Sequence, residues 1–186
     1  EITASDWSSD VCSSDLRLNL KLSGTDELLG SDTAFMQMEA GGKLILPLGS
    51  NARLLTRLEA GWTIKDDFSD LPFSVRYFAG GDGSVRGYDY KSLGPTDDDG
   101  NVVGGANKLV GSIEFDAQVY GNWSAAVFAD SGNAFNSFRA MSLKTSVGTG
   151  IRWYSPLGPV RFDVAFPLDS DASDAWRIHI SLGPDL

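Results

Sequence analysis

"GSIEFDAQVYG", Gly111–Gly121, sorts its residues by parity: Ile113, Phe115, Ala117 and Val119 fall on one face, Ser112, Glu114, Asp116 and Gln118 on the other. A period of two belongs to a β-strand, whose successive side chains point to opposite sides of a sheet. Working outward from this stretch, the same period recurs and helical periodicity does not. "RLNLKLSG" sets Leu18, Leu20 and Leu22 against Arg17, Asn19 and Lys21, and "KTSVGTGIRWY" sets Val147, Ile151 and Trp153 against Lys144, Ser146 and Arg152. "AWRIHISLG" sets Trp176, Ile178, Ile180 and Leu182 against Arg177, His179 and Ser181. The pattern predicts an all-β chain with strands at 17–24, 33–48, 52–64, 107–120, 122–131, 143–154, 158–167 and 175–183.

The connections are more informative than any one strand. Short ones fall at 48–52, 120–122 and 155–159, and long ones at 25–32, 65–106, 132–142 and 168–174. A soluble two-sheet sandwich shows the same alternation, so each strand alone favours a membrane wall only weakly. A sandwich has no reason to gather its short turns at one end, whereas an outer-membrane barrel has short periplasmic turns and long extracellular loops. With that asymmetry, charges in the middle of the polar face read as a wet lumen. No run of about 18 apolar residues exists to form a transmembrane helix, which leaves a spanning barrel open. The long loops are then extracellular and the C-terminus periplasmic.

Net charge is −10 and the pI about 4.4. That excludes nucleic acid as a natural partner, because phosphate binding draws on clustered Lys and Arg. The acid gathers in the connections "KDDFSD" (65–70), "TDDDG" (96–100) and "DSDASD" (169–174), which read as solvated loops. Asp97, Asp98 and Asp99 lack the spaced ligands and fixed glycine of a calcium loop, and no metal or cofactor is expected.

"DWSSDVCSSDL", Asp6–Leu16, contains the only cysteine, Cys12, and no alternation. Written back into codons it resembles a widely used short-read sequencing adapter. Residues 1–16 are therefore read as an assembly artefact outside the fold, and the native chain is expected to begin upstream. A Ser/Asp-rich flexible linker is the alternative.

The long connection 65–106 carries "RYFAGGDGSVRGYDYKSLGP", Arg76–Pro95. Its glycines permit tight backbone and close approach to a wall, while Arg86 brings a rigid five-donor fork. A fork inside a lumen needs carboxylates, and the inward faces of the next two strands offer Glu114 and Asp130. A barrel of eight strands is filled by its own side chains. A lumen that also holds this loop needs about 16, so the chain is read as the C-terminal half of a barrel of about 16 strands, with unpaired edges that lipid would not tolerate.

"SVRGY" (84–88), "FADSG" (128–132), "GTGIRWYSPLGPVRFDVAFPL" (148–168) and "RIHISLGPDL" (177–186) together resemble the outer-membrane-protein assembly superfamily, which includes BamA, TamA and the two-partner secretion exporters. "RYFAGGDGSVRGYDYKSLGP" and the "LGPDL" ending resemble the TamA branch most closely. The resemblance spans about residues 17–186. It implies a transmembrane barrel in the bacterial outer membrane, preceded by POTRA domains, with the loop folded into the lumen. It assigns the loop motif to Val85, Arg86, Gly87 and Tyr88, and the lumen partners to Glu114, Phe128, Asp130 and Gly132. Leu186 departs from the aromatic residue that closes many outer-membrane strands.

The implied function is insertion and folding of outer-membrane proteins, autotransporters among them, without catalysis or cofactor. The partners are outer-membrane lipid, unfolded clients and a TamB-like periplasm-spanning protein. A BamA-like insertase or a two-partner secretion pore is the alternative. Strand 175–183, with Trp176, Ile178, Ile180 and Leu182 outward, is expected to form one wall of a weakly paired seam, and Gly183 and Pro184 limit pairing at its end. Trp153 and Trp176 are assigned to interfacial aromatic girdles. His179, the only histidine, has no nucleophile beside it in any recognisable arrangement and is read as a polar lumen residue.

Overall fold

The computed structural model describes residues 2–3, 15–25, 35–65, 71–155, 158–169 and 176–183. Among these residues, nine strands form one antiparallel sheet in which every strand pairs with its neighbours in sequence. They are β1 (Ile2–Thr3), β2 (Asp15–Thr25), β3 (Phe35–Pro47), β4 (Ala52–Ile64), β5 (Asn107–Tyr120), β6 (Trp123–Phe135), β7 (Lys144–Ser155), β8 (Gly158–Pro167) and β9 (Arg177–Leu182). Short 3₁₀ turns occur at Phe73–Val75 and Phe138–Ala140, and no α-helix is present among the described residues. The order is linear, so the sheet is an open meander with β1 and β9 at its ends.

Eight of the nine strands correspond to those expected, and β4, β5 and β8 match in both bounds. The ninth, β1, is a two-residue pairing of Ile2 with Leu22 and Thr3 with Lys21. β2 begins at Asp15, because Asp15 and Leu16 continue the ladder opposite Ile45 and Leu44 and Leu16 keeps the outward parity of Leu18 and Leu20. Two residues of the adapter-like stretch are therefore in the sheet; the rest of it, with Cys12, lies outside the described residues. β6 runs on to Phe135 because Gly132, Asn133, Ala134 and Phe135 pair with Val110, Leu109, Lys108 and Asn107. β9 is shorter than expected. Its ladder stops at Ala165↔Arg177, leaving Trp176 outside the strand, and Pro167, further along β8, has no N–H with which to continue it. Pro184 and all of "DSDASD" after Asp169 lie outside the described residues.

The sheet is two-faced. Leu18, Leu58, Ile113, Val127, Ile151, Phe162 and Ile180 all stand exposed on one side. On the other, Glu114, Asp116, Asp130, Arg152 and Asp163 are buried. A soluble sheet does the reverse; apolar-out and polar-in is the arrangement of a wall whose outer face meets lipid. The outward aromatics Trp123 and Trp153 stack with centroids 6.1 Å apart, next to the two-residue turn that joins β5 to β6.

What buries the polar face is the connection between β4 and β5. It is braced internally by the bridges Tyr77↔Gly105, Ala79↔Leu93 and Thr96↔Val102, and it folds back over the sheet, where Arg57 and Arg86 bond across between the two. Ala79, Val85, Tyr88 and Leu93 form a small apolar core with Val110 of β5, so burial as well as hydrogen bonding holds the loop to the wall.

Candidate functional site: the seated lumen loop

Val85 is fully buried and points the loop into the sheet, which carries its neighbour Arg86 among the polar residues of β5, β6 and β8. The Arg86 guanidinium donates from Nε to Asp130 Oδ2 at 2.7 Å and from Nη2 to Asp130 Oδ1 at 2.9 Å. Its backbone N–H donates to Asp130 Oδ2 at 3.1 Å. Nη1 donates to Glu114 Oε2 at 2.7 Å and to Asp163 Oδ2 at 3.2 Å. The face of the guanidinium lies 3.5 Å from the Phe128 ring centroid, a cation–π contact that counts for more away from water. Ser112 donates to Asp130 Oδ1 at 2.6 Å, supporting the acceptor from behind.

Arg152 closes the arrangement. Its Nε and Nη2 donate to Glu114 Oε1 at 3.1 and 2.8 Å, and Nη1 donates to Asp163 Oδ1. Glu114 and Asp163 are thus each shared by the two arginines, in a ring that crosses β5, β7 and β8, with Asp130 of β6 attached through Arg86. Two guanidinium charges meet three carboxylates. Charges this buried are tolerable only when paired and multiply hydrogen-bonded, and here every carboxylate accepts at least two bonds.

Missing side chains make the room. A Cβ at Gly150 would lie 1.8 Å from Asp163 Oδ1, and one at Gly148 would lie 2.3 Å from Phe128 Cζ. Gly87 adopts φ +99°, and a Cβ there would come within 2.9 Å of Ser146 Cβ. Tyr88 follows, its hydroxyl donating to the Thr145 carbonyl at 3.3 Å. Gly132 of β6 lies against Val110, beyond the ionic ring.

The assigned residues Val85, Arg86, Gly87, Tyr88, Glu114, Phe128 and Asp130 are therefore brought to one place. Ile178, Ile180 and Leu182 lie on the outer face of β9, as does Ile151 on β7, away from it. Arg152, Asp163 and Ser112 complete the site without having been picked out. Parity already placed Ser112 and Arg152 on the polar face, but only the register across β5–β8 reveals that they converge.

Beyond the ring the lumen face turns basic. A cavity of about 80 Å³ lies between Lys43, Arg57, Arg161, Asp82, Arg86 and Glu114, and Arg57 donates to the Ser84 carbonyl at 2.7 Å. Nearer the turns, Asp116 accepts from Arg53 Nη2 at 2.8 Å and from the Tyr154 hydroxyl at 2.7 Å, tying β4, β5 and β7. At the far tip of the loop, Asp97 accepts backbone N–H bonds from Asn101 at 2.7 Å and Asp99 at 3.1 Å. The Asn101 bond, first among these, holds the Asp97 carboxyl below its ordinary range. Its oxygens are engaged in closing a turn.

Comparison with known proteins agrees with this architecture. The Omp85 superfamily domain matches residues 12–185. The outer membrane protein assembly factor BamA of Nitratidesulfovibrio vulgaris is 30% identical over 165 residues, covering 83% of this chain and 21% of that protein. The factor of the same name from Neisseria meningitidis serogroup B is 30% identical over 151 residues, covering 61% of this chain and 19% of that protein. The chain thus spans about a fifth of the length of these curated relatives. The crystal structure of BamA from Haemophilus ducreyi lacking POTRA domains 1–3 superposes with a TM-score of 0.70 at 25% identity, over 90% of this chain and 37% of that one. An apolar-out antiparallel wall, a glycine-rich loop seated on its inner face by a buried arginine, and a family match over nearly the whole sequence agree: the chain belongs to the Omp85 superfamily.

Proposed function

We infer that this chain is part of the barrel wall of a bacterial outer-membrane protein assembly factor, and that the intact protein inserts and folds other outer-membrane proteins. The observation that carries this reading is the seated loop. Arg86 and the apolar core around Val85 fill the polar side of the wall, which suits an insertase better than an open diffusion pore. The relatives named as assembly factors support the same reading.

The chemistry is physical rather than catalytic. A weakly paired strand edge offers N–H and C=O groups to which an incoming strand can add by β-augmentation, and β9 would form one wall of such a seam. Apolar residues on its outer face, Ile178, Ile180 and Leu182, would sit where the client strand enters lipid. Long loops outside the cell and short turns in the periplasm complete the orientation. The wording "RYFAGGDGSVRGYDYKSLGP" supports a narrower, TamA-like role with autotransporter clients and a TamB-like partner. The BamA relatives support the broader insertase role.

The test is reconstitution of the intact protein that carries this chain into liposomes, with an unfolded autotransporter barrel as client. Faster client folding, abolished by a disulfide locking β9 to the strand it meets at the seam, is expected. Unchanged client folding together with steady ion conductance would overturn the assembly reading in favour of an exporter pore.

A further inference from the structure

We propose that the seated loop is a latch on β9: Asp82, Gly87 and Asp89 hold that edge strand from the lumen side, so that β9 is released only when the loop lifts.

β9 is the least secured of the long strands. It pairs with β8 over six residues, Val160↔Leu182 to Ala165↔Arg177, whereas β7 pairs with β8 over ten, Ser146↔Pro167 to Ser155↔Gly158. A strand paired over so few residues opens at low free energy. Its lumen-facing side chains, however, are gripped. Arg177 Nη1 pairs with Asp89 Oδ1 at 2.8 Å. His179 Nδ1 meets Asp82 Oδ1, and His179 Nε2 accepts the backbone N–H of Gly87 at 3.3 Å.

These contacts define the histidine. An imidazole nitrogen that accepts from Gly87 N–H carries no proton, so the proton sits on Nδ1 and is donated to the Asp82 carboxylate. Asp82 lies in the loop 97 residues away, and its side chain is half exposed, as is that of Asp89. Neither carboxylate belongs to the buried ring. Their role is local to β9.

The geometry couples the two ends of the loop's grip. Gly87 is bonded to Arg86, which is fixed to β5, β6 and β8, and it is pressed against Ser146 and against Phe166 and Pro167 of β8. No side chain intervenes between Arg86 and the His179 contact. Lifting Arg86 from Asp130 therefore withdraws Gly87 from His179, and a loop in place leaves β9 held at residues 177 and 179.

The latch deepens the proposed function and rests on it only for its purpose; the holding of β9 is testable by itself. In the intact protein in lipid nanodiscs, amide hydrogen exchange is followed in β9 (177–182) and β5 (107–120) for Asp82→Asn/Asp89→Asn, His179→Gln, and their combination. Two half-exposed ionic contacts correspond to roughly three- to tenfold in an opening equilibrium. The Asp82→Asn/Asp89→Asn variant is expected to speed β9 exchange by that factor with β5 unchanged, and His179→Gln to add little on top, since it removes a shared contact. Unchanged β9 exchange, or equal acceleration in β5, would overturn the latch. Client folding by the same variant separates the two ideas. A loosened β9 with unaltered folding keeps the latch and defeats the seam mechanism, whereas a loosened β9 with altered folding supports both.

Discussion

Arg86 and Asp130, 44 residues apart, share three hydrogen bonds, two from the guanidinium and one from the Arg86 backbone N–H. One carboxylate thus fixes both the side chain and the main chain of the loop. The Asp130 side chain is wholly buried and that of Arg86 nearly so. Removing one charge strands the other in a place water does not reach.

Asp130→Asn is therefore expected to destabilise the loop-seated state by about 3 kcal/mol, the usual cost of breaking a buried pair from one side. Limited proteolysis between residues 76 and 95 and thermal unfolding of the intact protein would read it out. An unchanged cleavage rate would mean that the apolar core around Val85 seats the loop unaided.

Arg152→Lys keeps the charge but loses the fork that reaches Glu114 and Asp163 together. An ammonium cannot present parallel donors to two carboxylates at fixed spacing, and a charged hydrogen bond is worth about 2 kcal/mol. A fall in stability of that size, with Arg152→Met falling further, is the expected order. Equal stability for lysine and arginine would show that net charge alone matters in the ring.

Two glycines make a controlled comparison. Gly49 has φ +78° but nothing within 4 Å of its virtual Cβ, whereas Gly150 meets Asp163 and Arg152 there. Gly49→Ala should cost about 1 kcal/mol through left-handed backbone strain. Gly150→Ala should cost about 3 kcal/mol by forcing the ion pair apart. Denaturant or thermal midpoints of the two variants decide the point, and equal losses would contradict the packing argument.

The turn closed by Asp97 has a pH dependence of known sign. Its carboxyl is held below the ordinary range, chiefly by the Asn101 N–H, so its contribution is complete above the unfolded-state pKa. It is lost only as pH falls through the depressed folded value. An NMR titration of the Asn101 amide should be flat through neutral pH and move with a midpoint below the ordinary carboxylate value. Asp97→Asn should abolish the movement, and a midpoint near the ordinary carboxylate value would contradict it.

The outward tryptophans test the membrane reading of the wall. Trp123 and Trp153 stack beside the short β5–β6 turn, where an interfacial girdle would sit. Their fluorescence in the intact protein should be quenched more by lipids brominated near the headgroup than by lipids brominated at the chain end. Stronger quenching from the chain end would place them in the hydrocarbon core instead.

Parity alone decided much of this molecule. The period of two in "GSIEFDAQVYG" marked β5 and put Glu114 inward. The same rule put Asp130, Arg152 and His179 on the polar face, and alternating turn and loop lengths told barrel wall from sandwich. These are local properties, because side-chain direction in a strand depends only on position along it. What lay beyond reach depends on register between strands and on where the long loop comes to rest. Nothing in the spacing of Arg152 and Asp163 says that both meet Glu114 or Arg86, and nothing local links Asp82 to His179. The end of β9 was misplaced for a related reason, since a strand stops where its partner stops pairing. Contacts across such separations are set by the summed pairing of the whole sheet and by burial of Val85 and its neighbours, so only the tertiary structure could decide them.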